Sequence, residues 1–169
     1  MTALHPRTHR TEFMIIAATE ADGPQIQSIV ARAGVFNQEE VDSVSVMWTE
    51  YLTLGTEGSG YHFIVYREAN QVLGFAIYGP RDLTDGVFDL YWVAVDPTAR
   101  CHGIGRSLLT TCEDAARQMG GRMLIAETSG TPLYEPTRKF YFSVGYENEA
   151  CIKDFYMIGD DLRIFIKRL

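Results

Sequence analysis

The chain has 169 residues, 46% of them hydrophobic, and a formal charge of −7. That length suits one domain with a sizeable core, and the apolar fraction argues against overall disorder. The acidic balance repels phosphate backbones, which argues against nucleic acid and anionic membranes as main partners, and it is compatible with a cationic amine substrate.

Residues 1–10 carry positive charges with no apolar stretch behind them. They read as a loose tail rather than a secretory signal, and residues 11–169 as a single folded domain. No apolar run approaches the length of a membrane span. Residues 13–17 form a short apolar run and a first strand. Thr19 or Asp22 can cap a helix with Pro24 in its first turn. Ile26, Ile29, Val30 and Ala33 give its buried face, and Gly34 stops it. Residues 37–40 resemble a capping box for a second helix, with Val41, Val44, Trp48, Tyr51 and Leu52 along one face. Residues 55–60 read as a turn or loop.

Residues 61–67 and 72–78 read as two strands of an antiparallel hairpin. Gly74 lets the second one bend or approach another backbone closely. Residues 80–86 form a polar loop. Residues 88–95 are a largely apolar strand, buried on both sides in the middle of a sheet. After a central helix, residues 123–128 form another buried strand, so strand–helix–strand makes a parallel pair with a right-handed crossover. Residues 129–133 form a loop, and Glu135-Pro136 opens a short helix that Gly145 ends. Residues 146–152 and 162–167 are the last two strands, with the turn at 159–161. No repeat, low-complexity tract or linker interrupts this order.

The chemistry concentrates in residues 93–119. A strand ends at Val95-Asp96-Pro97. Arg100-x-x-Gly103-x-Gly105 follows, then a helix with Leu108, Leu109, Cys112, Ala115, Ala116 and Met119 at helical spacing. Gly120-Gly121 ends it. The first-turn amides of such a helix have no intrahelical partners, and the dipole favours negative charge there. A glycine-rich turn of this kind suits a phosphate or pyrophosphate. A nucleotide-hydrolysing P-loop needs a Lys that does not follow Gly105, and a dinucleotide fold needs a third glycine that is missing.

Cys101, Cys112 and Cys151 are an odd number without a secretion signal, which points to reduced thiols and the cytoplasm. The four His residues are scattered without metal-ligand spacing, so no metal is expected.

The loop resembles the acetyl-coenzyme A loop of the GNAT superfamily of N-acetyltransferases, Arg/Gln-x-x-Gly-x-Gly/Ala after a strand ending in Val-x-Pro. A second stretch, Arg138-Lys139-Phe140-Tyr141-Phe142-Ser143-Val144-Gly145-Tyr146, resembles the family's Arg-x-Phe-Tyr-x-x-x-Gly-Phe/Tyr. The resemblance implies an α/β fold. Its mixed, mostly antiparallel sheet has about seven strands, with a parallel splayed pair and about four flanking helices. It implies acetyl-CoA as co-substrate. The pyrophosphate would rest on Arg100, Cys101, His102, Gly103, Ile104, Gly105, Arg106 and Ser107. The thioester would lie beside Val93, Ala94 and Val95, and a backbone N–H of Val93 or its neighbour would face the developing oxyanion. Tyr141 matches the family's general-acid position, and its other reading is an aromatic packing residue.

Acetyl transfer also asks the acceptor amine to lose a proton. Glu127 is a possible base and Asp89 another, directly or through water; either is equally readable as an ion-paired carboxylate, and water alone can suffice. The acceptor, a small-molecule or peptide amine, would sit between the first two helices, the 80–86 loop and residues 154–161. Trp48, Tyr51, Tyr78, Tyr91 and Tyr156 are candidate walls there. Two rival readings stay open: a non-catalytic acyl-CoA sensor and a nucleotide-binding module. The late strands can also pair or exchange between two copies, which admits a homodimer.

Overall fold

In a computed structural model, residues 13–169 are described. The tail expected over 1–10 lies outside the described residues. The strands are β1 (Phe13–Ala17), β2 (His62–Glu68), β3 (Gln71–Pro80), β4 (Val87–Val95), β5 (Met123–Ser129), β6 (Glu147–Met157) and β7 (Asp160–Arg168). They form one sheet in the order β1-β2-β3-β4-β5-β7-β6. Every pairing is antiparallel except β4 with β5, the pair joined by a helical crossover. Four α-helices cover the sheet: α1 (Gly23–Arg32), α2 (Gln38–Ser59), α3 (Ile104–Gln118) and α4 (Glu135–Ser143).

Alternation along the strands divides the core in two. On one face Ile26, Ile29 and Val30 of α1 and Val44 and Trp48 of α2 pack on Phe63, Val65, Phe75 and Ile77. On the other, Ile104, Leu108, Leu109, Cys112 and Ala116 of α3 and Tyr141 of α4 pack on Ile64, Ala76, Leu90, Leu124 and Phe165. Gly74 is where α3 presses closest. A Cβ there would stand 3.0 Å from both the Ala94 carbonyl oxygen and the Ile104 side chain. Only a bare backbone admits that contact.

Local signals explain most boundaries. Asn37 and Glu40 cap α2 reciprocally, with bonds of 2.9 and 2.7 Å. Leu52, expected on the apolar face of α2, is exposed. α2 also runs past the expected loop at 55–60. Gly55 breaks the helical backbone (φ 68, ψ 178), a last helical segment follows, and left-handed Gly60 closes it. Glycine marks the break correctly, but a break is not an end when the next residues can resume the helix. Likewise a 3-10 turn, Pro132–Tyr134, occupies part of the loop expected at 129–133. β6 is longer than its apolar pattern suggested, because it bulges between Ile152 and Met157 and then resumes pairing. Among the described residues no helix is long and apolar enough to cross a membrane.

Leu108 is fully buried between α3 and the sheet. Leu108→Ala is expected to cost about 2–5 kcal/mol of unfolding free energy in urea denaturation. Leu54→Ala, at an exposed position, should change stability by no more than about 0.5 kcal/mol.

Candidate active site

β4 loses regular pairing on both sides at the same place. On the β3 side Trp92 pairs with Ile77 and Leu90 with Tyr78, so Tyr91 is an extra, unpaired residue, a β-bulge. On the other side the parallel ladder ends at Leu90 and Ala126. Beyond that point β4 runs to Val95 paired only with β3, and β5 runs to Ser129 paired only with β7. The sheet forks there. The bulge also exchanges faces. Phe88 and Leu90 before it, and Val93 and Val95 after it, belong with the α3–α4 core. Trp92 and Ala94 belong with the α1–α2 core. The Asp96 N–H donates to the Leu73 carbonyl at 2.8 Å, which sets the phase of the ladder. Antiparallel alternation then points the N–H and C=O groups of Val93 and Val95 away from β3, into the fork.

The chain leaves β4 through a 3-10 turn, Pro97–Ala99, and enters α3 through residues 100–103. Cys101 (φ 66) and Gly103 (φ 81) both hold left-handed backbone. The first N–H with an acceptor is that of Ser107, which donates to the Gly103 carbonyl at 3.0 Å. Among the described residues the N–H groups of 101–106 have no protein acceptor. Free amides gathered at a helix N-terminus in this way are suited to an anion. Gly105 also lets α4 approach, since a Cβ there would stand 3.1 Å from the Phe140 ring.

A cleft of about 530 Å³ opens over this turn. Its walls include Val93, Ala94, Val95, Arg100, Cys101, Gly103, Ile104, Gly105 and Arg106. His102 and Ser107, expected with them, are not among the lining residues. The His102 ring N–H instead donates to the Arg100 carbonyl at 2.7 Å, and the Ser107 N–H already closes the first turn. The opposite wall was not anticipated. It comes from Val35 and Phe36 between α1 and α2, and from Leu133, Pro136, Thr137 and Phe140 on or before α4. No local motif marks those residues, because the fold alone carries them there.

Three arginines tie the turn to its surroundings. Arg32 donates to Asp96 at 2.7 Å, Arg100 to the Ala33 carbonyl at 2.8 Å, and Arg106 to the Ser143 carbonyl at 3.0 Å. Arg100 and Arg106 thus brace the cleft as well as adding charge to it, and a guanidinium keeps further donors for an anion.

A second hollow of about 200 Å³ lies further back along β4. Arg81, Asp89, Leu90, Tyr91, Ile125 and Glu127 line it. Burial pushes the Asp89 carboxyl up, Arg81 pulls it down and Glu127 pushes it up again, with a net rise. Burial and the Asp89 charge push Tyr91 up to about 12, so it is a neutral phenol at ordinary pH. Of the other aromatic walls expected for an acceptor, Trp48 and Tyr51 pack against Phe63, and Tyr78 is buried in the α3–α4 core. Tyr156 is exposed on β6 and feels the charges of Glu127, Asp160 and Glu40.

The two expected catalytic side chains stand apart. Glu127 lines the hollow and lies 3.5 Å from Arg81. Tyr141 is only 5% exposed, packs against Tyr146 and Phe165, and is not among the residues lining either cavity. Burial raises its pKa, which keeps the phenol protonated. Among the described residues no group of His, Cys, Asp and Glu is placed to hold a metal ion.

Comparison with known proteins bears on this geometry. Residues 59–148 match the family model described as an acetyltransferase (GNAT) domain. A GNAT-family protein from Desulfovibrio desulfuricans superposes with a TM-score of 0.89 at 38% identity, over 93% of this chain and 99% of that one. The chain belongs to the GNAT acetyltransferase family and is an acyltransferase by that membership. It is 28% identical over 118 residues to the ribosomal protein bS18-alanine N-acetyltransferase of Haemophilus ducreyi, covering 70% of this chain and 78% of that one. It is 30% identical over 102 residues to the L-amino acid N-acyltransferase MnaT of Escherichia coli, covering 59% of this chain and 57% of that enzyme. The fold is shared with yncA from Salmonella typhimurium, solved with its cofactor acetyl-CoA (TM-score 0.72, 22% identity, 94% of each chain).

Asp96 anchors the turn and is buried. Burial works to raise its pKa, but the N–H and hydroxyl of Thr98 and the Arg32 guanidinium outweigh it and hold the carboxyl below its usual range. A carboxylate depressed in the folded state stabilises fully above the ordinary value, and that contribution fades as the pH falls below about 4. Asp96→Asn should therefore be less stable than the parent at pH 7. The difference should shrink as the pH falls below the ordinary carboxylate range, as measured by denaturant titration at a series of pH values.

Proposed function

We propose that the chain transfers an acetyl group from acetyl-CoA to a primary amine by direct attack in a ternary complex. The observation that carries this is the succession of two cavities along β4. Residues 93–95 border the large cleft and residues 89–91 border the small hollow. One molecule can lie along the first and another can enter the second, with their reacting ends at the fork. Holding two reactants in this way replaces a bimolecular encounter with a positioned one.

The pyrophosphate of acetyl-CoA lies across the N–H groups of 101–106, at the positive end of α3. Its pantetheine arm takes the place of the missing strand between β4 and β5, bonding to the outward groups of Val93 and Val95. The acetyl carbonyl then sits where one of these N–H groups meets the oxyanion as it forms. One such donor is worth roughly 10²–10³ in rate. The amine enters through the hollow and attacks the carbonyl carbon. The C–S bond breaks, and the thiolate takes a proton.

Tyr141 is the proposed donor of that proton, and its protonated state at neutral pH suits the role. Two carboxylates in the hollow, Glu127 and Asp89, are the candidate acceptors for the amine proton. The Salmonella protein was solved with acetyl-CoA, and the two enzymes compared above acylate amines by name. These relatives support the cofactor and the reaction class, and leave the particular amine open.

Thiol release from acetyl-CoA, followed across amino acids, polyamines, aminoglycosides and peptide N-termini, tests this reading. Turnover with at least one amine is expected. Tight acetyl-CoA binding without release by any of them would instead make the chain a sensor. Displacement of acetyl-CoA by ATP at equal concentration would make the turn a nucleotide site. For Tyr141→Phe, retained cofactor affinity with a roughly tenfold or greater fall in kcat is expected. An unchanged kcat with a lowered Tm would assign the ring to the core alone.

A further inference from the structure

Arg81 is not part of either family motif, yet its side chain reaches both strands of the fork. It follows Pro80, the last residue of β3, and its N–H donates to the Val87 carbonyl at 2.8 Å. This hairpin contact aims the side chain along β4. One guanidinium nitrogen lies 3.0 Å from Asp89 of β4, and the other lies 3.5 Å from Glu127 of β5. The main-chain bonds between these strands stop at Leu90 and Ala126, so Asp89 and Glu127 flank the final rung. The guanidinium spans the two strands at the base of the opening.

We propose that Arg81 is a positioning residue that clasps β4 to β5 at the base of the fork and holds Asp89 as the proton acceptor for the incoming amine. The inference rests on the acetyl-transfer reading above and adds the division of labour between the two carboxylates. The Asp89 side chain is 17% exposed against 41% for Glu127, so Asp89 is the one enclosed by the hollow. Glu127 is the outer partner that keeps the guanidinium in place.

The proton account closes. The acceptor enters as an ammonium ion, gives one proton to Asp89, and Asp89 passes it to water. The neutral nitrogen attacks, the C–N bond forms, and the C–S bond breaks with its electron pair on sulfur. The second proton, lost from nitrogen in the adduct, balances the one that the thiolate takes up.

The bland alternative is a surface ion pair that contributes little to anything. The Arg81 and Glu127 side chains are both about two-fifths exposed, so such a pair should be nearly neutral for stability. The two readings differ in what happens to Asp89. The charged or titratable groups around it are Arg81 from the β3–β4 loop, Glu127 from β5 and Tyr91 on its own strand, with Tyr61 and Asp82 beyond Tyr91. Of these Arg81 alone is a cation. Burial and Glu127 both favour the protonated acid, and Arg81 opposes them. Removing Arg81 must therefore move Asp89 protonation to higher pH, and with it the acid limb of kcat/KM.

The test uses the full chain as wild type, Arg81→Met, Arg81→Lys and Asp89→Asn. The titration of the Asp89 carboxyl is followed by carbon NMR, and kcat/KM is measured from pH 5 to 9 with acetyl-CoA and the best amine of the thiol-release panel. In Arg81→Met the Asp89 titration and the acid limb should move up together. The loss in kcat/KM should be roughly tenfold at pH 6 and shrink towards pH 9. Arg81→Lys should recover part of the shift, and Asp89→Asn should remove the limb. A folded Arg81→Met with an unshifted Asp89 titration overturns the proposal, as does a limb that persists in Asp89→Asn. A wild-type chain that releases thiol with no amine overturns the acetyl-transfer reading instead, so the two failures are distinguishable.

Discussion

One additional residue in β4 governs the architecture of the site. Tyr91 has no partner on β3, and the parallel ladder to β5 ends beside it. An extra residue in a strand twists it and reverses which face each following side chain meets. Val93 and Val95 are thereby turned into the α3–α4 core, and their main-chain groups face open space instead of a neighbouring strand. Unsatisfied main-chain groups are costly when buried. A fork of this kind is stable only where water or a ligand can take the place of the missing strand. The cleft along Val93–Val95 is the physical consequence.

The glycine turn before α3 depends on the same strand, since only the short 3-10 turn Pro97–Ala99 separates it from the end of β4. Its amides stay available because none of the described residues satisfies them, and its position is held by side chains from elsewhere. Asp96 is bonded to Thr98 and Arg32, and Arg100 and Arg106 reach carbonyls at the ends of α1 and α4. Guanidinium groups bonded to carbonyls at helix C-termini also meet favourable dipole ends. The arginines that a sequence reader assigns to phosphate are thus shared with the frame around it. That sharing gives a rigid turn with its donors already oriented, which is what electrostatic preorganisation requires.

Legibility in the sequence followed the range of the interaction. The capping box at Asn37 and Glu40, the proline-led starts of α1 and α4, and the glycine stop after α3 are decided within a few residues, and they appear as read. The glycine pair of the anion turn is equally local. Gly55 shows the limit of that logic, because it breaks α2 and the chain then resumes the helix. The bulge at Tyr91 carries no composition signal, so β4 reads from sequence as one uninterrupted buried strand. Tyr141 sits in a motif whose spacing is plain, but its ring faces a core contributed by β7 and the end of α4. Helical spacing alone does not reveal that orientation.

The amino-acid order by itself determined the succession of strands and helices, the parallel pair with its crossover, and a helix start suited to phosphate. Each of these rests on periodicity, capping or turn chemistry between near neighbours. Only the tertiary structure decided which segments wall the cleft, where the sheet opens, and that Arg81 spans Asp89 and Glu127. Those contacts depend on the pairing register of β3, β4 and β5, and most join residues dozens of positions apart. A register is a property of strands laid side by side, and no single stretch of chain contains it.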